Sequence, residues 1–250
     1  MYNIMDTKNL LIIVVIIILL IIVVSYMTQD INTLTGLTEG TTLQKVDASS
    51  LDSSNSNSSN FTYSIWFYIN DWSYKYGEPK FIFGRMAQGS DIKKNINEPC
   101  PSVVLGDTLN NIDVSLAVYP TYDNMPDTSD DFIINTFSVS NIAIQKWVNL
   151  LVSVYGRTMD IYIDGKLVRT CILDGVAKID PMASVYITPY GGFSGWTARF
   201  QYWSNETDPQ KAWNIYEQGY GNSLIGNLFG KYTVKVSLMD GNNEDSSIVI

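Results

Sequence analysis

Leu10 to Val24 is an unbroken run of 15 residues, every one Leu, Ile or Val. Ser25, Tyr26 and Met27 extend it to 18. At 1.5 Å per residue, a helix of that length is about 27 Å long, close to the roughly 30 Å hydrocarbon core of a bilayer. Ile and Val favour strand in water. In lipid the backbone must satisfy its own hydrogen bonds, so helix wins. The run as a whole has a nominal insertion energy of roughly −5 to −9 kcal/mol. Residues 10–27 therefore read as one transmembrane helix behind a short tail, residues 1–9, with Tyr26 at the interface. The competing reading is a cleaved signal peptide, with Val23-Val24-Ser25 as cleavage site and Lys8 as a thin basic leader. Asp6 offsets Lys8, and the run sits at the upper length limit for such a leader.

Lys8 precedes the run and no Lys or Arg follows it until Lys45. The positive-inside tendency puts the amino terminus in the cytoplasm and the domain across the membrane. The sequons at Asn57, Asn60 and Asn205 would be usable glycosylation acceptors on that side.

Net charge is −9 and the Lys and Arg residues are scattered. No basic stripe exists to neutralise phosphates, so nucleic acid is not an expected partner. The chain has no histidine. That excludes Ser-His-Asp and Cys-His catalysis, histidine-ligated zinc and histidine pH switching. The two cysteines, Cys100 and Cys171, are either buried thiols or one disulfide. The disulfide would close a loop of roughly 70 residues, worth roughly 4 kcal/mol in the loop-entropy account.

Residues 28–60 read as a linker, because Ser49 to Asn60 is a Ser/Asn-rich stretch that cannot bury a core. From Phe61 the pattern has period two: Phe61, Tyr63, Ile65, Phe67 and Ile69 alternate with Thr62, Ser64, Trp66 and Tyr68. Further strands are expected at 80–85, 102–105, 112–119, 131–139, 147–155, 158–163, 166–173, 183–188 and 198–203. Many short strands separated by turn-rich pieces predict an all-β sandwich over residues 61–221. Asp164-Gly165 is a two-residue hairpin loop. Asp208-Pro209 opens the one helix of the domain, with Ala212, Ile215 and Tyr216 as its packing face. Residues 222–250 form a separate hairpin or arm, turning at Asp240-Gly241.

Two segments carry a resemblance. Trp147-Val-Asn-Leu-Leu-Val-Ser-Val-Tyr155 followed by Met159-Asp-Ile-Tyr-Ile-Asp-Gly-Lys-Leu167 resembles the central hairpin of concanavalin A-like (laminin G-like) jelly rolls. Gly191-Gly192-Phe193-Ser194-Gly195 and Phe200-Gln-Tyr-Trp203, followed by the helix, are similar to that family's closing strand. The resemblance implies a concanavalin A-like jelly roll. More narrowly, the short anchor, Pro99-Cys100-Pro101, Arg169-Thr-Cys171 and Ile187-Thr-Pro-Tyr-Gly-Gly-Phe-Ser-Gly195 resemble membrane-anchored proteins of large nucleocytoplasmic DNA viruses. That resemblance implies a minor capsid protein in the virion's internal membrane, tethering lipid to capsid or coat proteins. It also favours the Cys100–Cys171 disulfide. Capsids assemble on the cytosolic side of such membranes, so this implied role and the charge rule point to opposite topologies.

Glucanases of this fold place three carboxylates on one strand face. This chain has no such motif, and Asp160 and Asp164 would be roughly 13 Å apart along a strand, so no enzymatic activity is expected. No cofactor is expected. Asp123, Asp127, Asp130 and Asp131 form an acidic loop with the oxygen ligands calcium takes, though a solvated loop is the plainer reading. Trp72, Tyr74, Tyr76, Tyr190 and Trp196 fall in expected loops and offer an aromatic surface for a protein partner. The alternative is a membrane-bound glycan-binding lectin using the same rings. Trp66, Trp147 and Trp203 are expected in or near the core.

Overall fold

The computed structural model describes residues 16, 19–20, 32–51, 59–86, 98–121, 131–221, 235–240 and 243–249. It divides into two compact units, residues 32–220 and a second drawn from 1–31 and 221–250.

The larger unit is two packed antiparallel sheets with one helix. Its strands are β1 (Thr33–Thr35), β2 (Thr38–Glu39), β3 (Gln44–Val46), β4 (Phe61–Asp71), β5 (Lys80–Arg85), β6 (Ser102–Leu105), β7 (Asn111–Val118), β8 (Ile133–Ser140), β9 (Trp147–Tyr155), β10 (Thr158–Ile163), β11 (Lys166–Ile172), β12 (Val185–Ile187) and β13 (Ser194–Trp203). One sheet runs β1-β13-β4-β9-β10-β11, with β2 also on β13. The other runs β3-β12-β5-β6-β7-β8.

The alternation on β4 sets the layers. Phe61, Tyr63, Ile65, Phe67 and Ile69 point between the sheets and meet Val148, Leu150, Val152 and Val154 of β9 with Ile112, Val114, Leu116 and Val118 of β7. The opposite parity is also buried. Thr62, Ser64, Asn149 and Ser153 lie beneath the segment that carries α1 (Pro209–Glu217). These polar side chains are partly satisfied locally: Asn149 donates to Ser64 Oγ at 3.0 Å, and Ser153 Oγ accepts from the Thr207 N–H at 2.8 Å, whereas Asn149 Oδ1 and the Thr207 hydroxyl are buried with no hydrogen-bond partner among the described residues. Such bonds offset the cost of burying polar groups.

The Asp208 side chain caps α1 by accepting from Lys211 N at 2.7 Å, with Pro209 in the first turn. Ala212 and Ile215 pack on Leu151 and Tyr162 of the outer sheet face. At the β10–β11 turn, Asp164 and Gly165 have φ of 49° and 72°, the positive values a two-residue turn of this kind requires.

The expected linker is corrected over much of its length. β1 and β2 pair with β13, β3 pairs with β12, and Val46 and Leu51 are buried in the core. The domain therefore starts at Asn32 rather than at residue 61. The threonine-rich stretch is short of apolar residues because its strands occupy sheet edges. Residues 52–58 lie outside the described residues.

In the smaller unit, β14 (Lys235–Asp240) and β15 (Asn243–Val249) pair as an antiparallel hairpin, a two-stranded sheet of its own. Most of the expected transmembrane helix lies outside the described residues; Ile16, Leu19 and Leu20 are helical and exposed. Among the described residues, no helix is long and apolar enough to cross a membrane.

Candidate functional site

The sandwich has two ends. At one, the chain enters: Thr33 pairs with Gln201, and the same end holds Phe61, Tyr155, Thr158 and Ile172. At the other lie the loop after β4, the Asp164-Gly165 turn and the start of β13. The eleven residues of β4 separate the two ends by about 33 Å at 3.3 Å per residue step.

That far end gathers four of the five aromatics, Trp72, Tyr74, Tyr76 and Tyr190, with Trp196 nearby in strand β13 rather than in the loop expected for it. Asp71 turns the chain after β4 by accepting from the Ser73 N–H at 2.9 Å and the Ser73 hydroxyl at 2.8 Å. These bonds, the backbone one foremost, hold its carboxyl below the usual range. Trp72 is half-buried on the core, with Lys80 Nζ over its ring at 4.8 Å. The Tyr74 hydroxyl donates to Gly191 O at 3.0 Å, and Lys75 Nζ donates to Tyr190 O. Tyr190 also leans on Phe81, centroids 5.9 Å apart. The loop is thus clamped to the 3₁₀ turn Pro189–Gly191. Tyr76, at the tip, stays 65% exposed.

Backbone strain collects here. Lys75, Asn141, Gln145, Asp164, Thr188 and Tyr190 all have positive φ, and for β-branched Thr188 that conformation is unusual. Thr188 is held by its hydroxyl donating to Thr42 O at 2.6 Å. Gly192 (φ 37°) has no room for a side chain, since an added Cβ would lie 2.2 Å from Gly40 O. Lys80 is almost fully enclosed; its ammonium reaches the carbonyls of Lys75 and Asp107 at 3.4 Å each. Desolvation lowers its pKa.

Trp196 takes a different position, on the outer face of the seven-stranded sheet and 41% exposed. It starts a row of rings that the sequence reading had not joined. Trp196 meets Tyr68 at 5.6 Å, and Tyr68 meets Trp147 at 5.7 Å. Trp147 stacks on Tyr220 at 4.4 Å, and Trp66 stacks on Tyr216 at 5.5 Å. Trp66 is buried as expected, but under α1 rather than between the sheets; Trp147 and Trp203 are half-buried on the same outer face. The signal was their shared parity: Trp66 and Tyr68 alternate with the core residues of β4.

The expected disulfide is not formed, and Cys100 and Cys171 are both buried, free thiols. Cys100 lies beside Arg85 and Tyr63 of the central strands. Cys171 is on β11, three strands across from β4. Strands β4 and β11 are about 14 Å apart at strand spacing. Burial pushes the Cys100 thiol up to about 12.

Of the acidic loop, Asp123, Asp127 and Asp130 lie outside the described residues. Asp131 pairs with Lys178 Nζ at 2.6 Å, and Glu98 meets the same ammonium at 3.1 Å. Among the described residues no cluster of three or more metal-ligating side chains occurs. Asp160 accepts from the Thr170 hydroxyl at 2.6 Å, and Asp164 from Asn149 N at 3.0 Å, both as structural contacts. Asn57 is outside the described residues. The Asn60 amide is engaged, accepting from the Gly156 N–H at 3.0 Å and donating to Glu206 at 3.3 Å, whereas Asn205 is exposed.

The sandwich is similar to the receptor binding domain of botulinum neurotoxin C/D mosaic serotype, with a TM-score of 0.51 and 15% identity, over 75% of this chain and 43% of that one. A second similar structure is the HCR/D F1240A mutant, TM-score 0.50 and 16% identity, over 76% of this chain and 44% of the other. The chain thus spans less than half the length of these structures. No family model matches the chain, and no curated protein matches it in sequence. At such identities the likeness is one of fold, a jelly-roll-like β-sandwich.

Proposed function

We propose that this chain is a membrane-anchored, non-enzymatic tether: residues 10–27 sit in lipid, and the far end of a concanavalin A-like sandwich binds a protein layer. The observation that carries this reading is the opposition of the two ends. The chain enters the sandwich at Asn32, eight residues after the apolar run, and the clamped loops with Tyr76 and Trp196 lie at the other end. A domain so placed bridges a bilayer and whatever lies about 33 Å beyond it. The family resemblance makes that layer a viral capsid shell and the membrane the virion's internal one. Many weakly binding copies would act together through avidity.

Cross-linking of native assemblies tests this. Lys146, next to Trp147 that pairs with Tyr68, is exposed towards the far end. It should cross-link to a shell protein, and the reading fails if only copies of this chain or lipid-phase proteins are captured.

Trp196 and Tyr76 also support a second reading, a membrane-bound lectin, since exposed rings stack on sugars. The similar structures include a receptor binding domain, which agrees with a binding rather than a catalytic role. Saturable binding on a glycan array, lost in Trp196→Ala, would favour it over the tether.

A further inference from the structure

We propose that the end of the sandwich where the chain enters rests in the headgroup zone of a phospholipid bilayer, with Tyr155, Ile172 and Met182 dipping into it. The inference rests on the reading of residues 10–27 as a lipid anchor.

Three separate segments bring large apolar side chains to that end. Ile172, at the end of β11, is 78% exposed; Met182, in the turn before β12, is 67% exposed; Tyr155, closing β9, is 61% exposed. The Val118–Ala177 bridge and the pairing of Val185 with Arg85 place the 173–184 segment at this same end. Tyr119 and Val176 add exposed apolar surface beside it, joined by the Tyr119 N–H to Val176 O bond at 2.9 Å. Grouped exposed apolar surface marks an interaction site.

The chain length selects lipid as the occupant. Met27 closes the proposed anchor and Thr33 is already paired in the sheet. The six steps between them span at most about 22 Å when fully extended. With Met27 at the bilayer boundary, this end cannot leave the membrane's neighbourhood. Tyrosine suits the interface, where its ring is apolar and its hydroxyl wet.

The charges nearby are compatible with this. Asp131 is paired with Lys178, Asp174 exchanges hydrogen bonds with Asn135 at 2.6 and 2.9 Å, and Asp180 accepts from Met182 N at 2.8 Å. With these carboxylates engaged and Lys178 paired to Asp131 and Glu98, this end suits zwitterionic headgroups. Contact should therefore not depend on anionic lipid or low salt.

The test uses the full chain in phosphatidylcholine vesicles, spin-labelled through Tyr155→Cys, Met182→Cys or, at the far end, Tyr76→Cys. Buried Cys100 and Cys171 stay unlabelled. Labels at 155 and 182 should favour oxygen over a water-soluble nickel chelate as relaxing agent by about threefold more than the label at 76, as for groups some 5–10 Å into the interface. Equal accessibility at all three positions, in a chain that alkaline carbonate leaves in the vesicles, overturns the proposal while the anchor stands. Shielding of 155 and 182 from both agents means a protein covers them, and likewise overturns it. Release of the chain by carbonate removes the anchor, and the proposal with it.

Discussion

Tyr220 lies flat on Trp147, ring centroids 4.4 Å apart and planes 12° from parallel. This contact fastens the residues after α1 to the middle of the seven-stranded sheet. Trp147 is in turn tilted against Tyr68, so one truncation loosens a row. Tyr220→Ala should destabilise the protein by about 2 kcal/mol, from lost burial plus ring pairing. Urea unfolding followed by Trp fluorescence measures it. A loss no larger than that of an ordinary surface substitution would mean the row is incidental.

The edge strands make a sharper prediction. A fragment beginning at residue 32 should fold as the intact domain does. One beginning at residue 59 lacks Val46 and Leu51 from the core and leaves the outer edges of β13 and β12 unpaired. It should lose at least about 4 kcal/mol and melt on the order of 10 °C lower or more. Equal melting temperatures in calorimetry would restore residues 32–51 to the status of a linker.

Two glycines with positive φ separate backbone strain from crowding. Gly156 (φ 56°) has open space where a Cβ would go, so Gly156→Ala should cost about 1 kcal/mol. At Gly165 (φ 72°) the Cβ would lie 2.9 Å from Tyr216 Cβ and 3.1 Å from Trp213 Cα. Gly165→Ala should therefore cost about 2–3 kcal/mol, because α1 must shift as well. Chemical denaturation of the two variants gives the difference directly.

How much of this was legible beforehand differs by element. The long strands were, because β4 and β9 alternate cleanly and Asp164-Gly165 can only be a turn. Capped α1 was legible too, from Asp208 and Pro209. The short strands β1 to β3 were not, since two- or three-residue edge strands rich in Thr carry no periodic signal; only pairing with β13 and β12 makes them strands. Four of the expected loop aromatics, Trp72, Tyr74, Tyr76 and Tyr190, do share one end, but only the clamp of Tyr74 and Lys75 on the Pro189–Gly191 turn shows why; Trp196 falls in strand β13 instead. The row through Trp147 and Tyr220 joins residues 73 positions apart, a relation that arises only once α1 folds over β9.

The thiols give a pH prediction. Burial raises the folded-state pKa of Cys100 from 9.0 to about 12. The folded chain keeps its proton while the unfolded chain releases it above pH 9, so unfolding gains as pH rises. Stability is unaffected by this group below pH 9 and falls between pH 9 and 12, by up to about 4 kcal/mol. Burial raises Tyr63 in the same sense from its ordinary 10.0, whereas the lowered pKa of Lys80 acts oppositely. Cys100→Ala should flatten the alkaline decline measured by urea titration. In the native wild type neither thiol should react with Ellman's reagent at pH 8, and two should react in guanidinium. Fewer than two after unfolding without reductant would indicate the disulfide instead.

Electron cryotomography of the native assembly, with averaging of this protein's copies, bears most immediately on the tether. Sandwich density should begin within about 22 Å of a bilayer leaflet and touch a protein layer with the end bearing Trp196 and Tyr76. Sandwich copies found away from any bilayer, or with that end facing open solvent, would contradict it.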